Sequence, residues 1–249
     1  MLTDCVLAPD WPAPESVKAL VTTRLGGVST GGFASLNLGL HVNDEPRTVA
    51  QNRQILANHA GLAESRFAWL DQVHGQTIIT AAADGPVVPA DGSDTSETNL
   101  ACVVMTADCL PVLFCDQAGT KVSAVHAGWR GLAGGILQKA AQRFPDPSHV
   151  IAWLGPAISQ AHFEVGDDVY QAFITSNAEN HAAFIEIETS KKWMVDMYTL
   201  ARIQLNLAGI DKVYGGQYCT YADDKYFYSY RRDGLESGRM ASLIWLNAG

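Results

Sequence analysis

Three side chains stand where chemistry is plausible by type and position: His74 in QVHG, Cys109 in TADC and His126 in VHAGWRG. Each falls at the end of an expected strand beside a glycine or a turn, where a rigid element hands over to a loop and where sites are usually built. They are 35 and 17 residues apart, so no local turn forces them together. If they converge, two imidazoles and a thiolate offer zinc three protein ligands and leave a fourth position open, the pattern of catalytic rather than structural zinc. Zinc there would bring the pKa of a water toward about 7 and furnish hydroxide near neutrality. The same residues also suit a cysteine nucleophile activated by a histidine, with the neighbouring carboxylate of Asp108 orienting the base. Copper is the third chemistry, because two histidines and a cysteine also make the trigonal set of blue-copper sites. Seven histidines in the whole chain cannot fill a further multicopper cluster, so four-electron oxygen reduction is not expected.

The remaining histidines, His41, His59, His149, His162 and His181, lie in loop or helix-surface contexts and read as ordinary surface groups, His41 in LGLHVND being the hardest to set aside. Cys102 and Cys115 sit inside apolar strands and read as small hydrophobes. Cys5 and Cys219 give no comparable signal. Arginines could hold an anion through charge-assisted bidentate hydrogen bonds: Arg24 opens a glycine-rich loop, Arg130 stands at a helix start, and Arg231-Arg232 precede Asp233-Gly234. Tyr226-Phe227-Tyr228 with Tyr230 could stack a planar base, although such a run is more often strand packing.

The elements that must position these groups follow from apolar spacing and turn residues. TADCLPVLFCDQAGTKVSAVHAGWRG encloses a turn between two apolar runs, and an antiparallel hairpin brings its first and last residues, Cys109 and His126, to one end of a sheet. Other strands are expected at 17–23, 67–70, 77–82, 100–105 and 150–154, with a closing strand in GRMASLIWL, 238–246. Helices are expected at Pro46 to Leu62, capped by Asn43 or Asp44, at Gly131 to Phe144, at Asp167 to Thr175, and at Asp196 to Ala208 with Asp196 as cap. Asp84 to Asn99 is polar and turn-rich and reads as an exposed loop. Strands and helices interleave without a strict βαβ rhythm, which predicts an α/β class with mixed α+β sheets.

The chain has 249 residues, of which 47% are hydrophobic, and a formal net charge of −9. No repeat or long linker divides it, so one domain over 1–249 is expected. No basic run exceeds a pair, which excludes the electrostatic footprint of a nucleic-acid binder. No apolar stretch approaches the roughly 18 residues of a membrane span. An acidic residue at position 4 and three prolines by residue 14 argue against a secretory signal. Five cysteines without a C-x-x-C pair suit a reduced, cytoplasmic protein.

From Gln72 to Ser242 the ordered segments QVHG, TADCLPVLF, VHAGWRG, LGPAI, YFYSYRRDG and SGRMAS resemble the YfiH-type laccase-domain family, and TTRLGGVS and SLNLG extend the likeness toward the N-terminus. Its members are variously labelled multicopper polyphenol oxidoreductase, purine nucleoside phosphorylase or peptidoglycan editing factor. The resemblance implies layered sheets flanked by helices, as in a cysteine-hydrolase fold, and one zinc held by His74, Cys109 and His126. It implies action on purine nucleosides: phosphorolysis of adenosine, inosine and methylthioadenosine, and deamination of adenosine. The alternatives it carries are a cysteine-dependent amidase editing peptidoglycan precursors and a copper-dependent polyphenol oxidase. Arg24, Asn37 and Arg231 match family loop motifs and are the candidates for binding substrate and phosphate. Asp108 would orient a ligand or act as acid or base. After LGPAI the chain reads SQAHFEVG, without the cysteine often found there in the family, so any role of that thiol is absent.

Overall fold

A computed structural model describes residues 5–188 and 190–248. Met1 to Asp4, part of the signal-sequence argument, lie outside the described residues. Two large sheets and one small one carry the chain. In the five-stranded sheet β1 (Val6–Leu7), β2 (Val17–Thr22), β14 (Met240–Leu246), β6 (Ala101–Thr106) and β3 (Phe67–Ala68) lie in that order, antiparallel except for the last pair. The six-stranded sheet runs β13 (Lys212–Gly215), β9 (Val150–Leu154), β7 (Leu110–Asp116), β8 (Val122–Ala127), β5 (Gly92–Thr95) and β4 (Ile78–Thr80), with parallel pairs at its two edges and antiparallel pairs between. A small antiparallel sheet joins β10 (Glu164–Gly166), β12 (Lys192–Val195) and β11 (Phe184–Ile187). The helices are α1 (Pro46–Ala60), α2 (Trp129–Ala133), α3 (Ile136–Ala141), α4 (Asp167–Ser176), α5 (Met197–Leu207) and the single turn α6 (Tyr230–Asp233).

Period-two alternation sorts the strands into layers. On β6, Cys102 and Val104 turn to the second sheet, where they meet Leu113 and Cys115 of β7 and Ala124 of β8. Ala101, Val103 and Met105 of the same strand turn the other way, onto Leu56 and Ala57 of α1. On β7, Val112 and Phe114 pack against Leu132, Leu137 and Leu200 of α2, α3 and α5. The order is therefore helix, sheet, sheet, helices. Strands covered on both faces read as unbroken apolar runs, which is why β6, β7 and β9 were visible in the sequence. Full burial of one such side chain contributes about 1.5–3 kcal/mol, against roughly 1–2 kcal/mol to order its backbone. That narrow margin requires both faces to be covered.

Three expectations are corrected. The stretch 84–99 is not all exposed loop: β5 lies within it with every residue buried, beside Asp91, whose side chain is fully enclosed. Its small polar residues suit a strand paired closely on both sides, where Gly92 has Ile78 and Val125 against it. The expected helix 131–144 is two helices, α2 and α3, because Gly135 adopts φ +87°, a left-handed conformation that ends the first turn run. Neither Asn43 nor Asp44 caps α1; Glu45 occupies the cap position without a side-chain bond, and Asp44 instead accepts from Ser29 Oγ at 2.7 Å and Asn37 Nδ2 at 2.9 Å. Asp196 does cap α5, its Oδ1 accepting from the backbone N–H groups of Tyr198 and Thr199.

Candidate metal centre

The β7–β8 hairpin has the register Leu110 to Ala127 and Pro111 to His126, so Cys109, one residue before β7, comes beside His126 near the end of β8. His74 enters from the loop after β3 with φ +58°. That left-handed backbone is unusual outside glycine, and Asp91 holds it: the N–H groups of His74 and Gly75 donate to the Asp91 carboxylate at 2.9 and 2.6 Å. Asp91 also takes the Nδ1 of His126 at 2.8 Å, and its carbonyl accepts the His126 N–H at 2.7 Å. One buried carboxylate thus fixes the His126 imidazole and the backbone that carries His74. With Nδ1 donating to it, His126 presents Nε2 to the cluster.

The ligand atoms of His74, Cys109 and His126 all lie within 4.8 Å of one another. Sγ of Cys109 is 3.9 Å from Nε2 of His74, and the two imidazole rings meet edge-on with centroids 4.8 Å apart. Gly128 makes room for them. A Cβ there would stand 2.9 Å from Cδ2 of His74, 3.3 Å from Sγ of Cys109 and 3.5 Å from Cε1 of His126. Among the described residues this is the one group of three or more histidine, cysteine or acidic side chains with converging ligand atoms.

Burial pushes the Cys109 thiol up, but the charge of His126 and hydrogen bonds from both histidines outweigh it and bring its pKa down to about 6. Burial works against the protonated His126 imidazole, and Cys109 and Asp91 overcome it, raising its pKa to about 9. Burial likewise opposes the Asp91 carboxylate, yet the bonds from His126 and Gly75 hold its pKa below the usual range. Without a metal these shifts run toward a thiolate facing an imidazolium.

Asp108, adjacent to Cys109, has φ +88° and both carboxylate oxygens occupied: Oδ1 accepts from Thr220 Oγ1 and Oδ2 from the Arg231 N–H, each at 2.6 Å. It ties the segments at 220 and 231 to the start of the hairpin. Arg231 lines the cavity, donates to the Glu164 carbonyl at 3.0 Å and lies 5.5 Å from the Phe163 ring. Arg24 and Asn37 do not line it. The Arg24 guanidinium donates to the carbonyls of Ala34, Gly32 and Asp224 and lies over Tyr228. Asn37 is fully buried, its Oδ1 accepting from the N–H groups of Gly39 and Arg239.

The cluster opens into a cavity of about 430 Å³. Met105, Ile158, Phe163 and Met197 give it apolar surface, Arg231 and Arg239 give it positive charge, and His41 adds an imidazole whose pKa is lowered by burial and by Arg239 and Arg53. Sequence reasoning passed over Asp91, set His41 aside and left Arg239 unassigned within SGRMAS. A surface role for His41 is corrected in one respect: the ring is exposed, but into this cavity.

Residues 18–247 match the family described as multi-copper polyphenol oxidoreductase laccase. A Pseudomonas aeruginosa protein named purine nucleoside phosphorylase PA4543 is 50% identical over 241 residues, 96% of this chain and 98% of that one. The Escherichia coli K12 protein named purine nucleoside phosphorylase YfiH is 46% identical over 243 residues, 97% of this chain and 98% of its own. Among solved structures, Neisseria meningitidis NMB0706, of the DUF152 family, superposes with a TM-score of 0.92 at 53% identity, covering 98% of this chain and 99% of its own. YlmD from Geobacillus stearothermophilus gives 0.90 at 30% identity, covering 100% and 98%.

Proposed function

The chain belongs to the YfiH-type laccase-domain family, and from that membership and its cavity we propose a metal-dependent purine nucleoside phosphorylase with zinc at His74, Cys109 and His126. The observation that carries the reading is a three-ligand cluster opening into a cavity with apolar and cationic walls. Small-molecule pockets span about 300–1,000 Å³, so 430 Å³ suits a nucleoside and is too small to enclose a whole peptidoglycan precursor. Two imidazoles and a thiolate suit zinc at about 2.0–2.3 Å, from atoms already gathered within 4.8 Å. Bound there, zinc supplies Lewis acidity at a position no protein ligand fills.

The chain's own residues account for the rest. In phosphorolysis a phosphate oxygen bonds to C1′ of the ribose as the bond from C1′ to the purine nitrogen breaks, and the purine leaves with the electron pair. The site must therefore hold one anion and stabilise another. Arg231 and Arg239 bring positive charge to the cavity, and Met105, Ile158 and Phe163 give the base a dry surface. Methylthioadenosine would use the same apolar wall. Deamination of adenosine, in which water adds at C6 and ammonia leaves, would use the same cluster. Asp108 acts by holding the Arg231 segment, since both its oxygens are already engaged.

A cysteine-nucleophile amidase draws support from the lowered Cys109 pKa. An activated thiol needs one base, however, whereas a second imidazole 3.9 Å from Sγ is what a metal needs. Copper binds such a set more tightly than zinc in vitro, so the metal must be read on protein purified without additions. The test is to incubate that protein with adenosine, with and without phosphate, and to separate adenine, inosine and hypoxanthine by chromatography. Phosphate-dependent adenine together with zinc near one per chain, lost in Cys109→Ser, is the expected result. Absence of turnover with zinc bound, or full zinc in Cys109→Ser, overturns it.

A further inference from the structure

The cationic side of the cavity is unusual for its partners. The chain carries 26 acidic residues, yet among the described residues every ion pair of an arginine or lysine lies elsewhere, at Arg66–Glu97, Lys121–Asp94, Arg143–Asp94, Lys192–Glu164 and Arg232–Asp233. Arg239, Arg231 and nearby Arg53 have no carboxylate partner there. Arg53 is committed to the fold: its Nε and Nη2 donate to the Leu38 carbonyl, and its guanidinium lies 3.8 Å from the Trp69 ring centroid. Arg231 is exposed and reaches toward Glu164.

Arg239 is different. It is half-buried; its Nη1 donates to the carbonyls of Ser237 and Gly238 at 2.8 and 2.9 Å, and its guanidinium lies 5.8 Å from the Tyr230 ring centroid. Its Nε and Nη2 have no acceptor among the described residues, although the side chain lines the cavity. Such a pre-anchored guanidinium with two free donors fits an oxyanion bidentately. Burial pulls its pKa down while the negative charges of Cys109 and Asp108 pull it up, so it stands within electrostatic reach of the metal cluster. His41 is beside it: both approach Gly39, where a Cβ would lie 2.8 Å from Cγ of Arg239 and 3.4 Å from Cε1 of His41. The backbone of Arg239 is held in turn by the buried Asn37, which accepts its N–H at 2.9 Å, and by the Leu38 N–H, which donates to its carbonyl.

We propose that Arg239 and His41 form the seat of the phosphate dianion, and that Asn37 is the positioning residue that aims Arg239 into it. This rests on the phosphorylase reading for its ligand, and it replaces Arg24 and Asn37 as direct phosphate contacts. Arg231 then stands at the Phe163 side, nearer the nucleoside. In a molecule of net charge −9, an unpaired cationic wall of this kind focuses the field that draws an anion to the cavity.

The test uses the zinc-loaded protein and inorganic phosphate, with affinity read by calorimetry and turnover read separately. Arg239→Gln is expected to weaken phosphate binding at least about tenfold, the scale of a lost charge-assisted pair, and to raise KM for phosphate by a similar factor while KM for adenosine moves less than about twofold. Arg239→Lys recovers part of the loss. His41→Ala, on an exposed side chain, keeps the fold and weakens phosphate by a smaller factor. Wild-type affinity for phosphate in folded Arg239→Gln or His41→Ala, or a loss arising from Arg24→Gln in its place, overturns the assignment. Because calorimetry needs no turnover, phosphate binding lost in these variants of a protein that cleaves no nucleoside would sink the phosphorylase reading and leave the anion seat standing. Phosphorolysis with an unmoved KM for phosphate does the reverse.

Discussion

Burial alone would push the Cys109 thiol up, yet His126 and His74 reverse the shift and bring its pKa to about 6. Since the thiolate is the reactive form, alkylation of Cys109 by iodoacetamide in metal-stripped protein rises with pH through about 6 and is already level near about 8.5, where an ordinary thiol is half ionised. Peptide mass spectrometry across a pH series reads this directly, and a rate still climbing at about 8.5 would show that the ion pair is absent. This residue and its two histidines were legible because their types are rare and each stands beside a glycine or turn next to an expected strand. Asp91 was not. Its neighbours Pro89, Ala90, Gly92 and Ser93 have the composition of a surface turn, and no sequence pattern distinguishes a carboxylate pointing at solvent from one enclosed by three donors. Arg239 was hidden in another way, since an arginine's availability depends on which acceptors surround it.

The hairpin was legible as an element, because two apolar runs around a turn admit little else, and it does deliver Cys109 and His126 to one end. The third ligand depends on a strand that propensity does not reveal: β5 leads out of Asp91, pairs with β8, and so carries the carboxylate under the His74 loop. Weakening that carboxylate should therefore act on the metal rather than on the sheet. Asp91→Asn keeps the shape but loses the charge that receives Nδ1 of His126, and carboxylates behind metal-binding histidines are typically worth about 10–100-fold in affinity. The expected outcome is zinc surrendered to a competing chelator at least about tenfold more readily, while the circular dichroism of the metal-free protein matches wild type. Equal zinc retention in both proteins would show that Asp91 only shapes the loop. The split of the expected 131–144 helix has a similar physical source, for a Gly-Gly pair is compatible with a helix until one glycine takes a positive φ.

At the scale of the molecule, the layer order makes the interior between the two sheets a reporter of global opening. Cys102 of β6 and Cys115 of β7 face one another's sheets there, fully buried, in the same cluster as Trp153. Burial pushes both thiols up to about 12, so neither is ionised near neutrality nor reachable while the sheets are packed. No helix peels away to expose them, since α1 covers the outer face of one sheet and α2, α3 and α5 the outer face of the other. The apolar runs of β6 and β7 were readable in the sequence, but the pairing of the two sheets was not, because strands buried on both faces carry no sign of which face meets what. Labelling of Cys102 and Cys115 by a thiol reagent should thus proceed only through global unfolding. Its rate should climb with denaturant alongside the loss of native tryptophan fluorescence, while Cys109 in metal-free protein is modified from the native state at a rate nearly independent of denaturant. Labelling of Cys102 or Cys115 at the Cys109 rate in the absence of denaturant would mean that the sheets part locally, and the layered packing would need revision.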